Sequence, residues 1–288
     1  MSDAPGAAAP GAATAELLGG GAFFLIAGPC VLEDDALNLA VGEALARLSD
    51  ELHLPIVYKA SFDKANRSRA GAARGPGLER GLEQLARVRR ETGLPLLTDV
   101  HETVQCAAAA EAVDVLQIPA FLSRQTDLVE AAARTGRPLN IKKGQWMAPE
   151  DMAGAVRKAR SAGAPAVVVT ERGTFLGYGD LVVDMRSFTR MREATAARVV
   201  FDGTHSVQRP GRADGASGGD PRFTPLLVRA AVAAGADALF LEVHPHPETA
   251  PSDGSNMLRL ECLRPLLEEV LAIRAALRLD SALEVPVA

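Results

Sequence analysis

Cysteine is scarce in this 288-residue chain, with three at Cys30, Cys106 and Cys262. An odd, scattered set of thiols does not make a disulfide framework, and the compartment expected for it is the reducing cytoplasm. Aromatic residues amount to 4%, too few to build stacking platforms for nucleic-acid bases. Positive charge is not in excess either. The 31 Lys and Arg face 36 Asp and Glu, a net charge of −5, so nothing in the overall electrostatics favours nucleic acid or an anionic membrane as a partner. Residues 1–21 are rich in Ala, Gly and Pro and have neither a basic start nor a sustained apolar core. They match neither a signal peptide nor a membrane span and are expected to be a disordered leader.

Hydrophobic residues make up 48% of the chain, enough for a sizeable core. Short, nearly continuous apolar runs suggest strands at Phe23–Ala27, Pro55–Ala60, Leu94–Asp99, Val113–Gln117, Leu139–Lys142, Ala166–Thr170, Arg198–Asp202 and Ala238–Glu242. Helical patterns follow each, from Asp34–Leu48 to a long final one at Leu258–Leu277. Apolar strands alternating with helices call for a parallel sheet covered on both faces. Eight units predict a (β/α)8 TIM barrel, α/β in class, over residues 22–280, with a tail at 281–288. A doubly wound sheet is the alternative, disfavoured because no break in composition marks a second domain.

The C-terminal ends of these strands carry Cys30; Lys59 with Lys64 and Arg67; Asp99 with His101; Gln117; Lys142; Arg172; Asp202 with His205; and Glu242 with His244. In a barrel these ends form one rim, where active sites lie. The stretch from Tyr58 to Arg69 is the densest, with Lys59, Lys64, Arg67 and Arg69 beside Ser61, Asn66 and Ser68. Lysine and arginine with neutral donors suit phosphate or carboxylate. A solvated basic loop is the bland alternative, weakened by the acidic balance of the whole chain.

Several stretches together resemble the 3-deoxy-D-manno-octulosonate 8-phosphate synthases. They are AGPCVLE, YKASFDKANRSR, RGPGLE, TDVHE, QIPAFLSRQTDL, NIKKGQ, ERGTFLGYGDLVVDMR, FDGTHSVQ and LFLEVHPHPETAPSDG, and they run from about Phe23 to about Leu258. The loop from Lys64 to Ser68 sides with these enzymes rather than with the related heptulosonate synthases, whose loop is of the Lys-Pro-Arg-Thr-Ser type. The resemblance implies a cytoplasmic (β/α)8 enzyme, usually tetrameric. Such an enzyme condenses phosphoenolpyruvate with arabinose 5-phosphate and water and releases phosphate, on the way to lipopolysaccharide. It also implies that Lys59, Ser61, Lys64, Gln117, Lys142 and Arg172 contact phosphoenolpyruvate or its surroundings, and that Asn66, Arg67 and Ser68 hold the sugar phosphate. Arg124 would be lent by a neighbouring subunit, and Lys64, Asp99, Lys142 and His205 would have catalytic roles.

Cys30, His205, Glu242 and Asp253 correspond to the ligands of the family's metal-dependent branch, which has cysteine where a metal-independent branch has asparagine. One thiolate, one imidazole and two carboxylates suit a divalent zinc, iron or manganese ion better than magnesium or calcium. Singly, each has a plainer reading: Cys30 as a small buried hydrophobe, His205 as a core histidine, Asp253 as a turn residue before Gly254.

Two other functions remain open on the residues alone. Lys59 or Lys142 could form an imine with a carbonyl substrate, as in a Schiff-base aldolase. A sugar-phosphate binding protein would use the cations but not the four metal-type residues. The segment Val207–Arg222, rich in glycine, is either a lid or an ordinary loop. Trp146 is expected to pack beneath the rim, and Cys106 and Cys262 to be core residues.

Overall fold

The computed structural model describes residues 12–66, 71–213 and 216–277. In chain order the elements are α1 (Ala12–Gly19), β1 (Phe24–Gly28), α2 (Asp35–Leu52), β2 (Ile56–Lys59), α3 (Leu78–Thr92), β3 (Leu96–Asp99), α4 (Gln105–Ala112), β4 (Val115–Ile118), α5 (Thr126–Arg134), β5 (Leu139–Lys142) and α6 (Met152–Ser161). Then come β6 (Val167–Glu171), β7 (Thr174–Gly177), β8 (Asp180–Val182), α7 (Ser187–Thr195), β9 (Arg198–Asp202), β10 (Gln208–Ala213), β11 (Ala216–Gly219), α8 (Thr224–Ala233), β12 (Ala238–His244), β13 (Leu258–Arg259) and α9 (Leu263–Leu277).

Eight parallel strands, β1, β2, β3, β4, β5, β6, β9 and β12, pair in that order, and β12 closes on β1 from Phe24–Ala238 to Gly28–Glu242. This is the (β/α)8 barrel the alternation predicts. Successive strand residues face opposite sides of the sheet. One set, with Leu25, Tyr58, Leu96, Leu116, Ile141, Val169, Phe201 and Leu241 among it, packs outward against the helices. The other set forms a separate cluster: Phe24, Ile26, Val57, Leu97, Val115, Val168, Val200, Ala238 and Phe240 fill the lower interior. Continuing that inward set by two residues reaches Lys59, Asp99, Gln117, Asp202 and Glu242 at the upper ends, all buried. Most barrel strands are therefore apolar on both faces over their lower part and polar toward the rim; β5 is the exception, with Asn140 as well as Lys142 on its inward stripe.

Residues 12–19 depart from the expected disordered leader: they form α1, and Leu18 is buried in the cluster at the bottom of the barrel, with Leu17 beside it. The AATAELL run has good helix formers and a pair of leucines, a signal hidden by the Ala/Gly composition around it. Residues 1–11 and 278–288 lie outside the described part. Arg198, at the foot of β9, donates to the carbonyls of Leu17 (2.8 Å), Ala22 (2.5 Å) and Asp237 (3.0 Å), which ties this segment across the barrel floor.

Two short hairpins, β7–β8 and β10–β11, rise from the upper ends of β6 and β9. The second occupies the segment read as a lid or loop. The final helix begins at Leu263 rather than Leu258, because Leu258 and Arg259 pair with Val243 and His244 of β12.

Candidate active site

The upper mouth opens into a cavity of about 710 Å³ whose lining includes Lys59, Ser61, Lys64, Asn66, Asp99, Gln117, Lys142, Arg172, His205, Glu242 and Asp253. Cys30 lies just behind this wall and is buried. Of the other residues singled out in the sequence, Arg67 and Ser68 lie outside the described residues. Arg124 is exposed and is not part of the lining.

Local backbone explains several placements. Gly28 ends β1, where a Cβ would stand 2.1 Å from the Lys59 carbonyl oxygen, so only glycine lets the β1 loop approach β2 this closely. That approach puts the Cys30 carbonyl 2.9 Å from the Lys59 ammonium. It also stitches the two loops together through Leu32 N–H to the Ser61 carbonyl at 2.9 Å. Asp253 adopts φ 50°, a left-handed conformation that aspartate tolerates, which swings its carboxylate back toward Cys30.

The charges alternate. Lys59 Nζ lies 2.5 Å from Glu242 Oε1, and Lys142 pairs with Asp202. Both ammoniums stand over the ring of Phe240, 5.6 and 3.1 Å from its centroid. Burial would raise Glu242 and Asp202, but Lys59 and His205 hold the first, and His205 and Lys142 the second, well below the usual carboxylate range. Burial lowers Lys142 to about 8, with Asp202 opposing the shift. Burial would also lower Lys64, yet Cys30, Glu242, Asp99 and Asp253 around it keep it above the usual lysine range, and its Nζ donates to Ser61 Oγ at 2.9 Å.

Arg172 breaks the alternation. It is buried, and among the described residues it has no carboxylate within ion-pair distance; its Nη2 donates to Gln208 Oε1 at 2.6 Å and its Nη1 has no partner. Burial lowers its pKa, the sign of a charge held at a cost. The turn that aims it is fixed by Glu171, whose carboxylate accepts from the Arg172 and Gly173 N–H groups at 2.9 and 2.7 Å.

Across the mouth, His101 Nε2 lies 3.0 Å from Asp99 Oδ2, and Asp99 Oδ1 and His101 Nδ1 are both unpartnered. Burial alone would lower His101, but the hydrogen bond and charge of Asp99 outweigh it and raise the imidazole. Gln117 is oriented by a chain of amides, accepting from Asn140 Nδ2 at 2.9 Å while Asn140 accepts from Thr170 at 2.5 Å.

Three of the four residues expected to hold a metal come together: a ligand atom from each of Cys30, Glu242 and Asp253 lies within 4.8 Å of the others. The fourth, His205, adjoins them with Nε2 3.6 Å from Glu242 Oε2. Its Nδ1 is taken by Asp202 at 2.7 Å, which leaves Nε2 facing Glu242, the arrangement in which a histidine is oriented by a carboxylate behind it. The Cys30 thiol donates to Ser252 Oγ at 3.1 Å and Asp253 Oδ2 at 3.4 Å. Burial and Glu242 push the thiol up, so a divalent cation would have to displace its proton. The donors fit a divalent ion of the zinc, iron or manganese kind.

Sequence reasoning missed Gln145, Gln208 and Phe240, and it gave Asp202 no role. Asp202 was within reach, because it continues the inward stripe two residues beyond Val200; the others are bland types whose value lies in their neighbours. Trp146 is 46% exposed and stacked on Phe121, not packed beneath the rim, since the neighbouring Met147 fills the core position. Cys106 is buried as expected, whereas Cys262 is exposed on the turn that precedes α9.

The family model described as "DAHP synthetase I family" matches residues 11–276. Among curated proteins, the chain is 53% identical over 263 residues to the 2-dehydro-3-deoxyphosphooctonate aldolase of Magnetococcus marinus, covering 90% of this chain and 91% of that protein. It is 54% identical over 254 residues to the protein of the same name from Syntrophotalea carbinolica, covering 88% and 91%. The corresponding protein from Alkalilimnicola ehrlichii is 55% identical over 251 residues, covering 87% and 90%.

Proposed function

The chain belongs to the DAHP synthetase I family, and we propose that within it the protein condenses phosphoenolpyruvate with D-arabinose 5-phosphate and water, giving 3-deoxy-D-manno-octulosonate 8-phosphate and inorganic phosphate. This is a step toward the inner core of lipopolysaccharide. The observation that carries the reading is Arg172: a buried guanidinium with no carboxylate partner among the described residues, lining the same cavity as Lys59 and Lys142, has a place for an anion and is costly without one.

Phosphoenolpyruvate takes the deep cations Lys59, Lys142 and Arg172, with Gln117 and Lys64 at its flank. Arabinose 5-phosphate takes the outer side, reached by Asn66 and the Arg67–Ser68 stretch. Both substrates are anions, and the cations offset their repulsion and hold carbon 3 of the enol against the aldehyde. Lys64, kept protonated by the surrounding acids, donates to the aldehyde oxygen as the new carbon–carbon bond forms. Water adds at carbon 2, and the hemiketal phosphate collapses with loss of phosphate. Asp99 and His101 stand on the sugar side of the mouth, where a carboxylate orients hydroxyl groups.

Cys30, His205, Glu242 and Asp253 hold a divalent zinc, iron or manganese ion. When bound, that ion supplies a Lewis acid that orients the sugar or acidifies water. The working form is a homotetramer in the cytoplasm, with Arg124, exposed just beyond the cavity-lining stretch Pro119–Leu122, completing a neighbour's sugar-phosphate site.

The test is phosphate release from phosphoenolpyruvate by purified protein, with arabinose 5-phosphate or erythrose 4-phosphate, each with and without a chelator. Release with the pentose alone, lost on chelation and restored by a divalent ion, supports substrate and metal together. Turnover of the tetrose would move the assignment to a heptulosonate synthase, and Cys30→Ala with full activity and no metal would remove the ion. Lys142, lowered to about 8, also has the property of an imine-forming lysine; borohydride trapping with a keto acid would reveal that chemistry, and no adduct is expected.

A further inference from the structure

Gln208, the first residue of β10, is buried and bridges two groups that the proposed function assigns to different ligands. Its side-chain carbonyl accepts from Arg172 Nη2 at 2.6 Å, and its amide donates to Asp253 Oδ1 at 3.3 Å. Beyond the bridge each partner keeps a further polar atom. Arg172 lines the cavity and its buried Nη1 has no partner among the described residues, while Asp253 Oδ2 accepts from the Cys30 thiol at 3.4 Å. The base of this hairpin is anchored on both sides, by Arg209 on Asp180 of β8 and by the Asp220 N–H on the Val207 carbonyl at 3.1 Å.

A buried guanidinium and a partly buried carboxylate bridged by one side chain attract each other, and their preferred contact is a two-pronged fork that uses both nitrogens and both oxygens. Such a pair would occupy Arg172 Nη1 and the Asp253 oxygen that accepts from Cys30. A neutral amide has one acceptor and one donor end, so it satisfies each charge once and keeps the two apart. A carboxylate in its place would neutralise Arg172, and a hydrocarbon would leave both charges without a partner and free to meet.

We propose that Gln208 is a positioning residue that keeps Arg172 and Asp253 from pairing with each other, so that the guanidinium stays available to the anionic substrate and the carboxylate to a divalent cation. This rests on the assignment of Arg172 to phosphoenolpyruvate and of Asp253 to the metal group.

The experiment compares the full chain with Gln208→Leu, by titrating metal-stripped protein with phosphoenolpyruvate and, separately, with Co2+. In Gln208→Leu both affinities are expected to fall, the metal affinity by about 10–100-fold, the range for an outer partner of a metal ligand. Adding Arg172→Met to Gln208→Leu is expected to restore Co2+ affinity, because Asp253 loses its competitor, while phosphoenolpyruvate binding stays lost. A purely structural glutamine would lower thermal stability in both variants without that rescue. Gln208→Met, closer in shape, takes the same tests if the leucine variant does not fold. Unchanged affinities, or a metal loss that Arg172→Met does not relieve, would overturn the proposal. If the unaltered chain fails to bind phosphoenolpyruvate, the functional reading fails, and the Co2+ rescue still decides whether Gln208 separates the two charges.

Discussion

The two ends of the barrel interior are built from the same strands and follow opposite rules. At the floor, Phe24, Val57, Leu97, Val115, Val200 and Leu18 make a dry apolar cluster that any well-packed barrel could use. Two residues further along the same inward stripes stand Lys59, Asp99, Gln117 and Asp202, where nearly every charge is held by another charge. A strand rises about 3.3 Å per residue, so the change from hydrocarbon to ion pairs takes place within about 7 Å. The lesson is that the floor supplies stability and tolerates loss of function there, whereas the rim is assembled at a cost in stability that the floor has to cover.

The sharpest way to break this contrast is Lys59→Met. It strands Glu242, itself buried, without its ion-pair partner. We expect about 3–5 kcal/mol of lost stability in urea unfolding and a loss of about 10²–10³ in kcat/KM. Adding Glu242→Gln should recover stability but not activity. If the single variant is as stable as the original, the rim pair is not under the tension argued here.

Leu18→Ala probes the floor. Truncating a fully packed leucine should cost about 2–5 kcal/mol in thermal or urea unfolding, with kcat and KM unchanged below the transition. A changed KM would show that α1 reaches the site through the strands.

Arg172→Met sits between these extremes. The apo protein should be as stable as the original or more so, since an unpaired buried cation has gone. KM for phosphoenolpyruvate should rise about 10–150-fold, the equivalent of roughly 1.5–3 kcal/mol for a hydrogen bond to a charged group. A fall in melting temperature would mean that Arg172 is a structural residue.

The most gradual expected effect is a pH slope from Lys142, whose buried ammonium is lowered to about 8 from its ordinary 10.5. Below about 8 it is charged in folded and unfolded chains alike. Between about 8 and 10.5 the unfolded chain binds more protons, so stability should rise with pH across that window, by at most about 1.4 kcal/mol per pH unit. Activity should move the other way, with kcat/KM falling above about 8 as the anion loses a cation. A pH series of unfolding midpoints and of kcat/KM checks both signs, and Lys142→Arg should flatten the alkaline fall.

Much of the barrel was legible because its strands carry a strong signal: short, mostly apolar runs, repeated eight times and in most cases ending at a polar or charged residue. The rim could be read for the same reason, since Lys59, Asp99, Lys142 and Glu242 each stand where an apolar run stops. What escaped depended on partners distant in sequence. Gln208 gains its interest from Arg172 and Asp253, 36 and 45 residues away, and Phe240 from two lysines of other strands. The β7–β8 and β10–β11 hairpins were missed because their strands are too short to show a period, and glycine interrupts the second pair. Alanine-rich sequence hid α1, whose leucines are buried only once a barrel floor exists for them.

The closed floor also governs traffic. With α1 and the apolar layers filling the lower interior, whatever reaches the deep cations would come and go through the mouth that, on the proposed assignment, the sugar phosphate covers. On the proposed assignment depth would then become order: a molecule seated against Arg172 would have to enter before one resting near Asn66 and could not leave past it. A barrel closed at its floor would make its visitors queue.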